Sequence, residues 1–387
     1  MTPVMSIVDT TAALDALTAE LKEAPYVALD TEFMRDQTYW PKLCLMQVAA
    51  PGIEAIIDPM AEGIDLASFY ALLRAPLPKV IHAARQDIEI FHIQGGVIPH
   101  PLFDTQIAAM VCGFGESASY ETLARRLAHT DIDKSARFTD WSRRPLSKRQ
   151  LEYALADVTH LRVVYEALAR QLERTGRWAW VEEEISALQQ PALYQLDPAQ
   201  AWKRLKPRTA NKRFLAILAA AAAWREREAQ ARDLPRNRIL KDEALLEIAA
   251  HPPETPQMLE QIRTVPKGFA ASRMGKALLE EVAAGRTADP PAGIQAERAR
   301  RRREPSASAV DLLKTLLRQC AETAGVAPRL IADAEDIEKL AAREDDGVAA
   351  LHGWRAEVFG NNAVALRDGK LALALEKDEA VLVKRGE

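Results

Sequence analysis

The sequence predicts an α/β domain followed by helical modules, and three observations predict it. Four short runs rich in branched residues, 26–33 (YVALDTEF), 43–49 (LCLMQVA), 54–58 (EAIID) and 79–82 (KVIH), read as strands. Helical patterns near 9–23, 65–74 and 104–112 lie between and after them, and a long one runs from about 147 to 175. After Pro191 the pattern turns helical throughout. Strands interleaved with helices close an α/β domain near residue 190.

Each later element has its own signal. Ser147 as N-cap with Gln150 three residues on forms a capping-box pattern at the start of the long helix, and Gly176 suits its end. From Asp197 to Arg286 helical stretches are broken by turns at 251–256 (HPPETP) and 265–268 (VPKG). The segment 289–308 is rich in proline and arginine and poor in large apolar residues, the composition of a linker. Another helical stretch begins at Ala309 and continues to about Phe359. The remainder alternates apolar and polar residues around Asp368-Gly369, which reads as a hairpin turn. Domains are expected at 1–190, 208–288 and 306–387, and 387 residues suffice for all three.

Composition excludes several classes. The longest apolar run, Phe214 to Trp224, is too short to span a bilayer. The N-terminal residues lack a basic segment followed by an apolar core, so secretion is not expected. Cys44, Cys112 and Cys320 are too few and too scattered for a zinc site or a disulfide framework, and a reducing cytoplasm fits them. The formal net charge of −4 argues at first sight against a nucleic-acid partner. Resolved by segment, that figure is a cancellation. Residues 1–190 carry 18 basic and 26 acidic side chains (net −8), 191–305 carry 22 and 14 (net +8), and 306–387 carry 11 and 15 (net −4). The middle of the chain is basic.

Carboxylates in the first domain are the candidates for chemistry. In 26–33, Asp30 and Glu32 share one face of a strand, with Val27, Leu29, Thr31 and Phe33 on the other. Two adjacent carboxylates repel, and a bound divalent cation would offset that cost, magnesium or manganese suiting hard oxygen ligands. Alone, such a pair reads first as an ordinary exposed strand end. On the long helix, Tyr153 and Asp157 stack at i and i+4 on the shoulder of the apolar stripe, where they either face a cleft or simply bond to each other. Asp87 falls in the first turn of a helix after a strand, a place an acid often takes as a helix-dipole partner.

Together these pieces match a known pattern. Asp30-Thr31-Glu32-Phe33, then Asp87, then Tyr153 through Asp157 resemble the three exonuclease motifs of the DEDD superfamily, in the branch with tyrosine four residues before the last aspartate. Segments 28–49, 81–91, 101–109 and 135–158 resemble the bacterial ribonuclease D family, a resemblance covering essentially residues 5–175. The stretches 214–237, 242–255 and 258–269 resemble the HRDC domain, and 309–359 looks like a second, more diverged copy.

The resemblance implies a ribonuclease-H-like fold with a mixed sheet, followed by two small all-α HRDC-type domains. It implies hydrolytic removal of nucleotides from an RNA 3′ end with two divalent metal ions roughly 4 Å apart, released as 5′-mononucleotides. Asp30 would bridge the ions, Glu32 and Asp157 complete the nucleophile-side site, and Asp87 hold the second. Tyr153 would orient the attacking water, since a phenol titrating near ~10 suits positioning better than base action. The expected partner is RNA with a single-stranded 3′ end, precursor transfer RNA by the resemblance, and a monomer is expected with no membrane contact. Phe33 and Gln47, near the motif strand, are candidates for contacting the terminal nucleotide, with core packing the alternative for Phe33. Lys134, Arg137, Trp141, Arg143 and Arg144 are candidates for guiding the strand by phosphate contacts and stacking, or else form a solvated loop. Lys203, Arg204, Lys206, Arg208, Lys212, Arg213, Arg225, Arg227, Arg232, Arg236 and Arg238 in the basic module suggest an RNA path, or a solvated helix surface. A DNA-directed exonuclease and a non-enzymatic RNA-binding factor are the rival readings.

Overall fold

The structure, a computed structural model, describes residues 7–207, 209, 211–291 and 305–385. Arg208, the side chain of Lys134 and residues 292–304 of the expected linker lie outside the described residues.

Six strands form one mixed sheet: β1 (Ile7–Val8), β2 (Val27–Met34), β3 (Lys42–Ala50), β4 (Ile53–Ile57), β5 (Lys79–Ile81) and β6 (Leu102–Asp104), in the order β1-β4-β3-β2-β5-β6. The β2–β3 and β3–β4 pairs are antiparallel, and the β1–β4, β2–β5 and β5–β6 pairs parallel. The expected strands are all present; β1 and β6, of two and three residues, were too short to leave a pattern. In β3 every side chain after Lys42 is buried, as in a strand covered on both faces. A bulge at the β2–β3 pair, where Glu32 faces Leu45 but Phe33 faces Leu43, leaves Cys44 unpaired and twists the strand end that carries the acids.

Around the sheet lie α1 (Thr11–Lys22), α2 (Ala67–Arg74), α3 (Arg85–Gly95), α4 (Thr105–Val111), the short α5 (Tyr120–Leu123), α6 (Lys148–Thr175) and α7 (Trp178–Leu188). The capping box at Ser147 and Gln150 starts α6, and Gly176 ends it at φ +67°. Its stripe, Ala154, Asp157, Val158, Leu161, Val164, Leu168 and Leu172, is buried along β2, β3 and β4.

The basic segment builds a helical body: α8 (Lys212–Arg232), α9 (Arg236–Ile239), α10 (Asp242–Ala250), α11 (Pro256–Gln261) and α12 (Arg273–Thr287). The last segment opens with α13 (Ala307–Ala324), α14 (Pro328–Ile331) and α15 (Ala334–Ala342). The two bodies begin alike. A long helix ends in a left-handed residue (Asp233 or Gly325), then come a proline, a one-turn helix and a nine-residue helix. The C-terminal hairpin pairs β7 (Leu371–Glu376) with β8 (Glu379–Lys384), but its turn is at Lys377-Asp378, not Asp368-Gly369. Both turn residues have positive φ, as a two-residue hairpin turn demands, whereas Asp368 and Gly369 close the helix Asn361–Arg367. Among the described residues, no helix is long and apolar enough to cross a membrane.

Candidate active site

Strand β2, the first turn of α3 and the second and third turns of α6 converge on a cleft of about 510 Å³. Asp30, Glu32 and Asp157 bring carboxylate oxygens within 4.8 Å of one another there. Asp87, in the first turn of α3, also lines the cleft and accepts a 2.5 Å hydrogen bond from Thr31 Oγ1. Thr31 lies on the opposite strand face from the two acids, so one strand carries the carboxylates and also fastens the helix that brings the fourth. Tyr153 lines the same cleft one turn before Asp157 on α6 and favours the charged form of that carboxylate.

Electrostatics shows what the arrangement lacks. Burial, then mutual repulsion, raises Asp30 well above the usual carboxylate range and pushes Glu32 up to about 9. Burial likewise raises Asp87 and Asp157 to about 7, Thr31 opposing it at Asp87 and Tyr153 and Arg137 at Asp157. The Tyr153 phenol is raised beyond its ordinary value by burial and by Asp157, Glu32 and Asp30, so it stays protonated at neutral pH. Close hard oxygen donors short of positive charge fit a divalent cation. His82, lowered to about 4 by burial, stays neutral beside Thr105 Oγ1 at 3.0 Å.

Asp104 supports this edge without joining it. It caps α4 through Gln106 N (2.7 Å) and Ile107 N (3.3 Å) and accepts from Ala83 N (3.1 Å) and Ala84 N (2.8 Å). Those bonds hold the left-handed Ala83 (φ 54°), the bend that turns β5 into α3 and aims Asp87.

The expected RNA-contact residues divide. Phe33 and Arg137 line the cleft. Gln47 does not: it pairs with Asp30 across the sheet, wholly buried beneath α6, because β3 is a central strand. Trp141 is buried too, packed with Cys44, Leu45, Ile56 and Ala154, its ring 6.0 Å from that of Tyr153. It backs the tyrosine and offers no free face to a base. Arg144 is spent on Asp58 (2.6 Å through both Nε and Nη2) and on the carbonyls of Cys44 and Trp141, pinning its segment to the sheet. Arg143 is exposed, outside the cleft and paired with Asp140 at 3.3 Å. In the basic body, Arg225 is buried against Asp242 and the Leu240 carbonyl and serves the fold, whereas Arg227 and Arg232 sit in surface ion pairs and Arg236 is paired with Glu226.

Phe138 is among the cleft residues that the sequence did not single out. It is 91% exposed at the cleft wall, with the Arg137 guanidinium 5.3 Å from its ring centroid. A lone phenylalanine in a polar stretch carries no signal of its own, and only its exposure in the structure sets it apart.

Residues 5–173 match the 3′-5′ exonuclease family and residues 214–282 the HRDC domain. The ribonuclease-H-like fold and the acidic cleft thus belong to a 3′-5′ exonuclease. A ribonuclease D of Nitrobacter hamburgensis is 48% identical over 382 residues, spanning 98% of this chain and 100% of the relative. One of Granulibacter bethesdensis is 49% identical over 377 residues, 96% and 95% of the two chains. The crystal structure of Escherichia coli RNase D, an exoribonuclease involved in structured RNA processing, matches with a TM-score of 0.80 at 29% identity, over 95% of this chain and 99% of that one. The chain belongs to the ribonuclease D family and is a hydrolytic 3′-5′ exoribonuclease acting on RNA.

Proposed function

We propose that the chain trims single-stranded RNA 3′ ends, those of precursor transfer RNA among them, by two-metal hydrolysis to 5′-mononucleotides. The observation that carries this is the convergence of Asp30, Glu32 and Asp157, with Tyr153 and Asp87 in the same cleft. Asp30, Glu32 and Asp157 would hold one magnesium or manganese ion, and Asp30 with Asp87 the other. Bound there, such ions supply a low-pKa water and neutralise charge on the attacking and leaving oxygens. Tyr153, kept protonated, orients the water and does not abstract its proton. Phe33 and Phe138 pack against the terminal bases, and Arg137 meets a phosphate at the cleft wall.

In this reading residues 1–190 are the exonuclease domain, 208–288 an HRDC domain and 306–387 a second, diverged HRDC-like domain bearing the hairpin. The repeated order of long helix, proline, one-turn helix and nine-residue helix supports the last. The protein works as a cytoplasmic monomer.

The test is a transfer RNA precursor with a labelled 3′ trailer, incubated with magnesium or manganese. Mononucleotides should leave from the 3′ end, and Asp30→Asn or Asp157→Asn should slow release on the order of a thousandfold or more. Phe138→Ala should raise KM severalfold at unchanged thermal stability. Full activity in either aspartate variant would refute the site.

A further inference from the structure

The geometry points to a second anion site, a phosphate-binding pocket upstream of the cleft, built jointly by the exonuclease domain and the first helical body. A cavity of about 270 Å³ opens between them, where Arg35 and Arg85 of the first meet Arg204 and Arg236 of the second. Glu89 is its one acid. Two of the arginines are already held: Arg35 by Glu89 through bonds of 2.7 and 2.8 Å, and Arg236 by Glu226 through bonds of 2.5 and 2.6 Å. Arg204 stands 3.9 Å from Glu226, itself satisfied by Arg236. Arg85, exposed in the first turn of α3, has no ion-pair partner among the described residues. The pocket therefore keeps positive charge that its own acids do not neutralise.

Its position selects the ligand. Gln86 lines both this pocket and the acidic cleft, and Arg85 lies two residues before Asp87. Arg35 follows directly on β2, the strand of Asp30 and Glu32. A strand with its 3′ end in the cleft would meet these guanidiniums with phosphates of preceding nucleotides. A cationic pocket next to the cleft draws in phosphates where the strand extends beyond the reacting nucleotide. The occupant is the phosphodiester backbone of the RNA substrate; a released mononucleotide is the other source of the same chemistry.

This rests on the exonuclease reading, and direct binding separates the two. In an Asp157→Asn chain, Kd is measured by fluorescence anisotropy for labelled RNA oligomers from a dinucleotide to a dodecamer, and for a 5′-mononucleotide, at several salt concentrations. The Arg85→Gln/Arg204→Gln pair is then added; both side chains are exposed, and an unchanged melting temperature checks the fold. Affinity should rise with length in the parent. The double variant should bind the dodecamer about tenfold more weakly, with a salt slope lower by about 0.7 for each phosphate it no longer neutralises. The weakening should grow with oligomer length. An identical length dependence and slope in the two chains would overturn the pocket. So would an equal weakening on the dinucleotide and dodecamer, which would assign the arginines to the cleft, or one confined to the mononucleotide. If the unaltered chain releases no nucleotides with either metal, the exonuclease reading fails instead, whatever the binding shows.

Discussion

The two helical bodies are joined to the exonuclease domain in different ways. The first receives a side chain of that domain into its own core. Tyr39, in the loop between β2 and β3, is 3% exposed among Trp202, Leu218, Ala222 and other residues of the helical body. Its hydroxyl donates to Glu226, 2% exposed, and accepts from Arg236 (2.9 Å) and Gln230 (3.2 Å), while Asp233 accepts from the backbone N–H of Tyr39 (3.0 Å) and Trp40 (2.9 Å). The second body lies against the far end of α4 and against α7. Trp180 stacks on Trp354 with centroids 4.4 Å apart, Arg355 pairs with Glu183 and Glu184, and Arg177 reaches the Ala324 carbonyl. There Gly113, at φ +80°, lets the Gly325 carbonyl approach so closely that a Cβ would sit 2.5 Å from it. The first junction follows β2, the strand of Asp30 and Glu32, by five residues, whereas the contacts named for the second are made from Gly113, Arg177 and α7. The first junction is thus the one next in sequence to cleft acids.

The largest expected effect breaks this comparison directly. Tyr39→Ala empties a ring-sized space and leaves Glu226 and Arg236 without their phenol, and Trp354→Ala removes half of an aromatic stack. Each should cost about 3–5 kcal/mol of stability by chemical denaturation. Only Tyr39→Ala should also lower kcat, about tenfold or more, because the end of β2 loses its anchor. Equal kcat losses in the two would mean that both junctions reach the cleft.

The acids sharpen the same contrast at smaller scale. Their folded values, about 7 for Asp87 and Asp157 and about 9 for Glu32, exceed the ordinary 3.8 and 4.5. The folded chain then binds more protons than the unfolded one between those limits, and stability falls as pH rises through about 4 to 9. Metal-free protein should melt several degrees lower at pH 9 than at pH 5, and magnesium or manganese should raise the melting temperature more at the higher pH. Asp30→Asn should flatten the slope. Amide exchange should slow with metal in β2 and the Tyr39 loop and stay unchanged around Trp180. A melting temperature that rises with pH in metal-free protein would refute this origin of the strain.

How far the sequence could be read follows from which forces act locally. Asp30, Glu32, Tyr153 and Asp157 were legible because a strand's period of two and a helix's i, i+4 spacing place side chains without reference to the rest of the fold. Ser147, Gln150 and Gly176 were legible for the same reason. Gln47, Trp141 and Arg144 were misread because their surroundings come from distant segments: α6 over β3, the sheet behind Trp141, Asp58 beside Arg144. The segmental +8 correctly marked a basic body, yet Arg225 and Arg236 are committed to local carboxylates, which charge counting cannot detect. Tyr39 left no signal at all, because its partners lie about 190 residues away.

The finest cut separates the hydroxyl of Tyr39 from its ring. Tyr39→Phe keeps the packing and removes the bonds to Glu226, Arg236 and Gln230, while Asp233→Ala keeps the whole side chain and frees the two backbone N–H groups of the loop. Glu226 keeps both of its bonds from Arg236 in Tyr39→Phe, so the loss should stay near 1–2 kcal/mol. Asp233→Ala should cost about the same, since each N–H regains water only in part. Their kinetics should differ. The Asp233 bonds fix the loop backbone that leads out of β2, whereas the hydroxyl ties a side chain already held by its ring. A fall in kcat of roughly two- to fivefold in Asp233→Ala, absent in Tyr39→Phe at matched stability, would assign the coupling to the backbone. The reverse order would assign it to the buried ion pair.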